Sequence, residues 1–265
     1  DFAQPGLPPG WVMEGDGLRH GYVATGTPLI SLDGDLAVNR LLPRGYHTHA
    51  LSSKLPGALR SPRFAEMKPA HFSVALAGGE WAGTIMPVEN AFQTERLRFL
   101  DRNATGWEKF SARTGDGKWR LRLEIATAGL NPNFPPRTGR ARVGKRRLKD
   151  EDFGFDKRSW FSITGIHTHD QSNGPKDELA AFAPLYAAAT PKSRTEAAQR
   201  LGDWLGGAVN RWAEGKATDV DVTIINWLLE HQLLPAQADT TPRLAKLVAA
   251  YREVESRISH AATVN

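Results

Sequence analysis

Two His-x-His pairs, His47/His49 and His167/His169, have the type and spacing that most readily suggest chemistry in this chain. Residues i and i+2 of a strand share a face, so each pair can present two imidazoles to one metal ion. Brought together by a sheet, four such nitrogens would hold zinc or copper, and Asp170 is the nearest clear carboxylate for a hydrolytic base. The same pairs also arise as ordinary hydrogen-bonding histidines of loops and strands. Asp16, Asp33 and Asp35 stand in Gly-rich turns, where hard oxygen ligands suit calcium. Their spacing is not that of an EF-hand, and Asp-Gly is common turn chemistry, so a plain turn is expected and a structural calcium is the alternative.

Other catalytic signatures are missing from the sequence. There is no Gly-x-Ser-x-Gly elbow, phosphate loop or dinucleotide fingerprint. With no cysteine, the 265 residues carry no disulfide, thiolate nucleophile, iron–sulfur cluster or covalently attached c-type haem. Glu80, Glu89, Glu108 and Glu124 are isolated carboxylates, and nothing selects two of them as a glycosidase pair. No catalytic residue is assigned, and the expectation is a protein that is not itself an enzyme.

Binding chemistry is better represented. Residues 1–170 hold 24 Lys/Arg against 18 Asp/Glu, while residues 171–265 hold 10 against 11, so any anionic partner belongs to the first part. Seven cations crowd Arg137 to Lys149, followed at once by Asp150, Glu151 and Asp152. Without interleaved aromatics to stack bases, this run reads as a solvated loop, and no nucleic-acid partner is expected. A face of guanidiniums is a second candidate. If Leu97, Phe99, Leu121 and Leu123 point inward, then Arg96, Arg98, Arg120 and Arg122 point outward, where they can grip sulfate or carboxylate groups. Tyr46, Trp81, Trp107 and Trp160 are the aromatic candidates for stacking on sugar rings, with burial in the core as their ordinary alternative.

These residues need elements to position them. Phe72, Val74 and Leu76 alternate with His71, Ser73 and Ala75, and Trp119, Leu121, Leu123 and Ile125 with Arg120, Arg122 and Glu124, which is the period of half-buried strands. Glycine-rich breaks separate such runs at turn-like intervals. The pattern predicts a mainly β fold over 8–170, an antiparallel β-sandwich of jelly-roll type like that of carbohydrate-binding modules. A small helical region over 175–262 follows. Its helices are expected at about 192–214, with Ala197, Leu201, Trp204, Leu205, Ala208 and Trp212 on one face, after Asp219 or Asp221 as cap, and after Thr241-Pro242; a shorter one is expected within 177–189. No apolar run approaches the ~20 residues of a membrane span.

Several stretches also carry a family resemblance. Gly10-Trp11 to Gly17-Leu18 is followed by Leu41-Leu-Pro-Arg-Gly-Tyr-His-Thr-His-Ala-Leu-Ser52, then by Lys54-Leu-Pro-Gly-Ala-Leu-Arg60-Ser-Pro-Arg63-Phe64. Trp119 to Glu124, Trp227 to Pro235 and Tyr251 to Glu255 complete the set. From about 10 to 260 the chain resembles the internal region of large planctomycete-type exported proteins. Those combine a cytochrome c-like domain, domains of unknown function and a carbohydrate-binding-like β-sandwich. The resemblance implies a piece of a multidomain exported protein, periplasmic or at the cell surface, that handles complex polysaccharide. It adds His47, His49, Ser52, Arg60 and Arg63 to the candidate site. It also implies neighbouring domains as partners, while the haem-binding Cys-x-x-Cys-His element has no counterpart here. The expected function is non-catalytic binding of a complex, anionic (sulfated or uronic) polysaccharide. A metal-dependent or glycoside-active enzyme using the His pairs is one alternative, and a structural module docking neighbouring domains is another.

Overall fold

The run His71–Gly78 puts Phe72, Val74 and Leu76 on one side and His71, Ser73, Ala75 and Ala77 on the other, and it forms the longest continuously paired strand of a four-stranded sheet. The computed structural model describes residues 2, 4–63, 71–86, 98–111, 122–130, 142–143, 146–147, 158–170, 174–175, 182–187 and 189–259. Over these, the protein is mainly β with antiparallel sheets and a few C-terminal helices. The strands are β1 (Val12–Glu14), β2 (Thr27–Ile30), β3 (Val38–Leu42), β4 (Tyr46–His47), β5 (Ala58–Arg60), β6 (His71–Gly78) and β7 (Ala82–Ile85). Then come β8 (Arg98–Phe99), β9 (Arg102–Ser111), β10 (Glu124–Thr127), β11 (Arg142–Val143), β12 (Arg146–Arg147) and β13 (Phe161–His169). The helices are α1 (Ala183–Tyr186), α2 (Arg194–Ala213), α3 (Asp219–Glu230) and α4 (Pro242–Ser256). None among the described residues is long and apolar enough to cross a membrane.

Two compact units emerge, and their boundary differs from a simple split near residue 170. The first comprises Asp1–Tyr22, Gly45–Lys176 and Arg257–Asn265; the second comprises Val23–Arg44 and Asp177–Ser256. Residues 23–44, expected within the β region, therefore belong with the helices.

In the first unit one sheet has the order β1-β5-β10-β7-β8 and the other β4-β13-β6-β9. Leaving out β1, the pairs are nested: β4 with β13, β5 with β10, β6 with β9 and β7 with β8. Both sheets feed one apolar cluster that includes Leu59, Ala82, Ile125, Phe72, Val74, Phe110, Phe161 and Ile163, with Phe2, Trp11, Leu18 and Leu123. Each such large side chain contributes about 1.5–3 kcal/mol by leaving water. Gly45 leads into β4 at φ 144°, and a Cβ there would collide with the Ile163 carbonyl, so only glycine brings β4 onto β13.

In the second unit the β2–β3 hairpin packs on the helices, with Leu41 buried beside Ala208, Val222, Ile224, Ile225 and Leu228. Asn226 of α3 acts as a neighbouring strand would: its Oδ1 accepts from Leu41 N (2.7 Å) and its Nδ2 donates to Leu41 O (2.9 Å). Trp212 Nε1 donates to Gly26 O at 2.8 Å. The cap of α3 is Thr218, not an aspartate; its hydroxyl accepts from Asp221 N, and the Asp221 carboxylate accepts from Thr218 N, a reciprocal capping box. Arg211 holds the same carboxylate at 3.0 and 2.5 Å. On α2 the expected apolar face is buried only over its later turns, since Leu201 stays exposed and Ala208 is buried.

Candidate functional site

The outward face of the four-stranded sheet is where aromatic, basic and hydrogen-bonding side chains gather. Register places Trp107, Ala75 and Gly165 in one cross-strand row and Lys109, Ser73 and His167 in the next; His71 and His169 pair in the third. Phe72, Val74 and Leu76 occupy the opposite face of β6, in the core. The outward side chains are thus excluded from the core by the same alternation that builds it.

Trp107 lies along this face rather than standing off it. An ideal Cβ on Gly165 would sit 3.2 Å from Cη2 of the indole, 3.8 Å from its Cζ3 and 3.8 Å from the Ala75 Cβ. The ring therefore starts on β9, crosses β6 above Ala75 and ends over Gly165 on β13. The small residues beneath leave room for it, and Trp107 remains half-buried. Beside it, Ser73 Oγ and His169 Nε2 are hydrogen-bonded at 2.8 Å, and the His169 ring centroid lies 5.8 Å from that of His71 and 5.9 Å from that of His167. Gly174 approaches Ser73, whose side chain is buried, while Lys109 and His167 are exposed.

The other candidate residues fall elsewhere. Tyr46, His47, His49 and Trp81 are buried and take part in packing rather than in a surface. His47 Nδ1 meets Ser162 Oγ at 2.7 Å, the His49 ring lies 4.1 Å from that of Trp160, and Thr48 Oγ1 accepts from Phe161 N at 3.0 Å. This His pair thus fastens the chain to β13. His47 lies opposite Ser162 while His167 is five residues further along the same strand, about 16 Å away at ~3.3 Å per residue, so the two pairs do not converge. Among the described residues no group of three or more His, Asp or Glu is placed to hold a metal.

Arg60 bonds Glu124 Oε2 through Nε at 2.9 Å and also pairs with Glu14, so it bridges two carboxylates. Burial opposes its charge, but the hydrogen bonds it donates to Glu14 and Glu124 raise its already high pKa. Arg98 meets Glu108 at 3.2 Å and lies over the Phe110 ring, and Arg158 meets Glu80 at 2.8 Å. Glu80, Glu108 and Glu124 are each held by an arginine. Arg63 and Arg122 are exposed. The alternation that buries Leu123 and Ile125 places Arg122 on the side of Glu124, whereas Arg98 is in register with Thr84, the partner of Ile125. Those two arginines therefore do not share a face. Arg96, Arg120 and Glu89 lie outside the described residues, as does most of the basic run from Arg137 to Lys149. Ser52 is buried and its hydroxyl accepts from Lys54 N, shaping a turn.

The aspartate turns have their own explanation. Asp16 pairs with Arg19 at 2.9 Å. Around Asp33 and Asp35 the backbone carbonyls converge on the Arg252 guanidinium: Nε donates to Ser31 O (2.9 Å), and Nη2 to Gly34 O (3.0 Å), Leu36 O (2.9 Å) and Asp33 O (3.4 Å). The turn that was expected here is thus organised around a side-chain cation. Asp16 belongs to the other unit.

Sequence reasoning named Trp107, His167 and His169 but missed Lys109, His71 and Ser73 as their companions. The signal was present in the alternation of β6, whose outward residues His71 and Ser73 are polar. Compared with known proteins, the chain matches no family model and no curated protein.

Proposed function

We propose that the first unit is a jelly-roll β-sandwich that binds polysaccharide without catalysis, using the outward face of its four-stranded sheet around Trp107. The jelly-roll reading is supported by the nested pairing of β4·β13, β5·β10, β6·β9 and β7·β8. A long hairpin of four outgoing and four returning strands has that pairing, and rolling it up distributes alternate strands to two sheets. The binding reading rests on one observation above all: an indole that reaches from β9 across β6 to β13, with hydrogen-bonding side chains in the adjoining rows. A pyranose presents an apolar face of C–H groups, which stacks on such a ring while its hydroxyls seek polar partners at the edge. The helical unit is proposed as a connector to neighbouring domains of a longer exported chain.

Affinity electrophoresis against neutral, uronic and sulfated polysaccharides tests this directly. The protein is retarded by at least one class, and Trp107→Ala abolishes the retardation while leaving the far-UV spectrum unchanged. Retardation unaffected by Trp107→Ala, or none with any polysaccharide, overturns the proposal.

A further inference from the structure

We infer that Asn103 is an acceptor for an N-linked glycan, presented on a bulge of β9; this does not depend on the glycan-binding reading. Asn103-Ala104-Thr105 is the single Asn-x-Ser/Thr sequence among the 265 residues. Asp101 precedes the asparagine by two residues, an anionic group that a cationic groove of a transferase can hold. So short a match also arises by chance, and it is the place of these residues in the fold that carries the inference.

That place is where β9 leaves its ladder. β6 and β9 are in register at Leu76 with Gly106 and again at Gly78 with Arg102, so two steps along β6 correspond to four along β9. The surplus falls on residues 103–105, the acceptor sequence itself, and a bulge leaves its extra residues outside the pairing. Both ends of the segment are fixed. Leu100 N donates to Ala82 O at 3.0 Å and its side chain packs on the core, while Gly106 is buried. Just after Leu100, Asp101 turns the chain through the left-handed region at φ 41°, an uncommon conformation for a residue with a side chain. Asp101, Arg102, Asn103 and Ala104 are exposed, and Thr105 is half-buried. Among the described residues β9 is the last strand of its sheet, and a bulky polar group at an edge opposes pairing with another chain.

The donor is an oligosaccharide carried on a lipid diphosphate, and a transferase brings it to the bulge. The amide nitrogen of Asn103 attacks the anomeric carbon. The bond from that carbon to the diphosphate oxygen breaks, the lipid diphosphate leaves with the electron pair, and one amide proton passes to a base of the transferase. The carbonyl oxygen and the second N–H remain, so Asn103 can keep the contacts it makes in the fold.

The test uses the purified, folded chain, a single-subunit oligosaccharyltransferase and its lipid diphosphate-linked oligosaccharide, with intact-mass and peptide mass spectrometry as the readout. The expected result is a gain of one oligosaccharide on the peptide containing Asn103. Asn103→Gln and Thr105→Ala lose the gain while keeping the far-UV spectrum of the wild type, and Thr105→Ser retains it. A synthetic peptide of residues 98–108 is treated in parallel. Reaction of the peptide but not of the folded chain overturns the inference, because the bulge then does not present the acceptor. Reaction of neither overturns it at the level of the sequence, and so does a mass gain that survives Asn103→Gln.

Discussion

Gly165 has no side chain, and the far edge of the Trp107 indole occupies the space one would take. Its backbone is not in the left-handed region, so a β-branched residue is sterically acceptable to the strand itself. Gly165→Val therefore separates the platform from the fold. The added methyls raise the indole off β13, glycan affinity falls by roughly ten-fold, and the sheet persists; affinity electrophoresis beside circular dichroism reads both. Another residue carries a buried cost. Neither ring nitrogen of His20 has a hydrogen-bond partner among the described residues, and burial pushes its pKa down. Its contribution to stability is present above its ordinary pKa of about 6.5 and is lost as pH falls below that value. His20→Phe is accordingly neutral or stabilising at pH 7.5, because no hydrogen bond is lost, and it reduces the loss of stability between pH 7 and 5. Denaturant melts at both pH values measure this.

Helices were the elements most legible from sequence. The 3.6-residue recurrence of apolar side chains and Thr241-Pro242 are local signals, and α2, α3 and α4 lie close to the positions they indicated. Strand β6 was legible for the same reason, since its alternation is a local property. The β2–β3 hairpin was not. Its placement depends on Asn226, Trp212 and Arg252, more than 180 residues away, and no periodicity within 23–44 records that. The candidate site was half legible: residue type marked Trp107 and the His pairs, but only register shows that Trp107 shares a face with His167 and that Arg98 and Arg122 do not share one. Asn226 makes the hairpin testable. Asn226→Asp retains the acceptor for Leu41 N but sets a carboxylate oxygen against Leu41 O. This costs about 2–3 kcal/mol at pH 7, and less at pH 4, where the protonated acid donates instead. Helical signal followed through chemical denaturation at the two pH values checks the difference.

At the scale of the molecule, the two units respond differently to acid. In the helical unit, Arg211 and then the Thr218 cap hold Asp221 below its ordinary carboxylate pKa. That stability is present above about pH 4 and is lost as pH falls through the lowered value. His20 lies in the β-rich unit and acts from about pH 6.5 downward. Acid titration therefore loosens the β-rich unit first. Asp221→Asn lowers the stability of the helical unit by about 1–3 kcal/mol at neutral pH and removes its dependence below pH 4, which amide exchange resolved by residue can follow. The proposed binding function belongs to the β-rich unit, on the face of its four-stranded sheet that alternation leaves outside the core. The most direct measurement is nuclear magnetic resonance of isotope-labelled protein titrated with a retained oligosaccharide. Shifts centred on the Trp107 indole N–H and on the backbone amides of Lys109, Ser73 and residues 165–169 are the predicted result. Shifts centred on the five-stranded sheet or on the helices, with those amides unmoved, would contradict it.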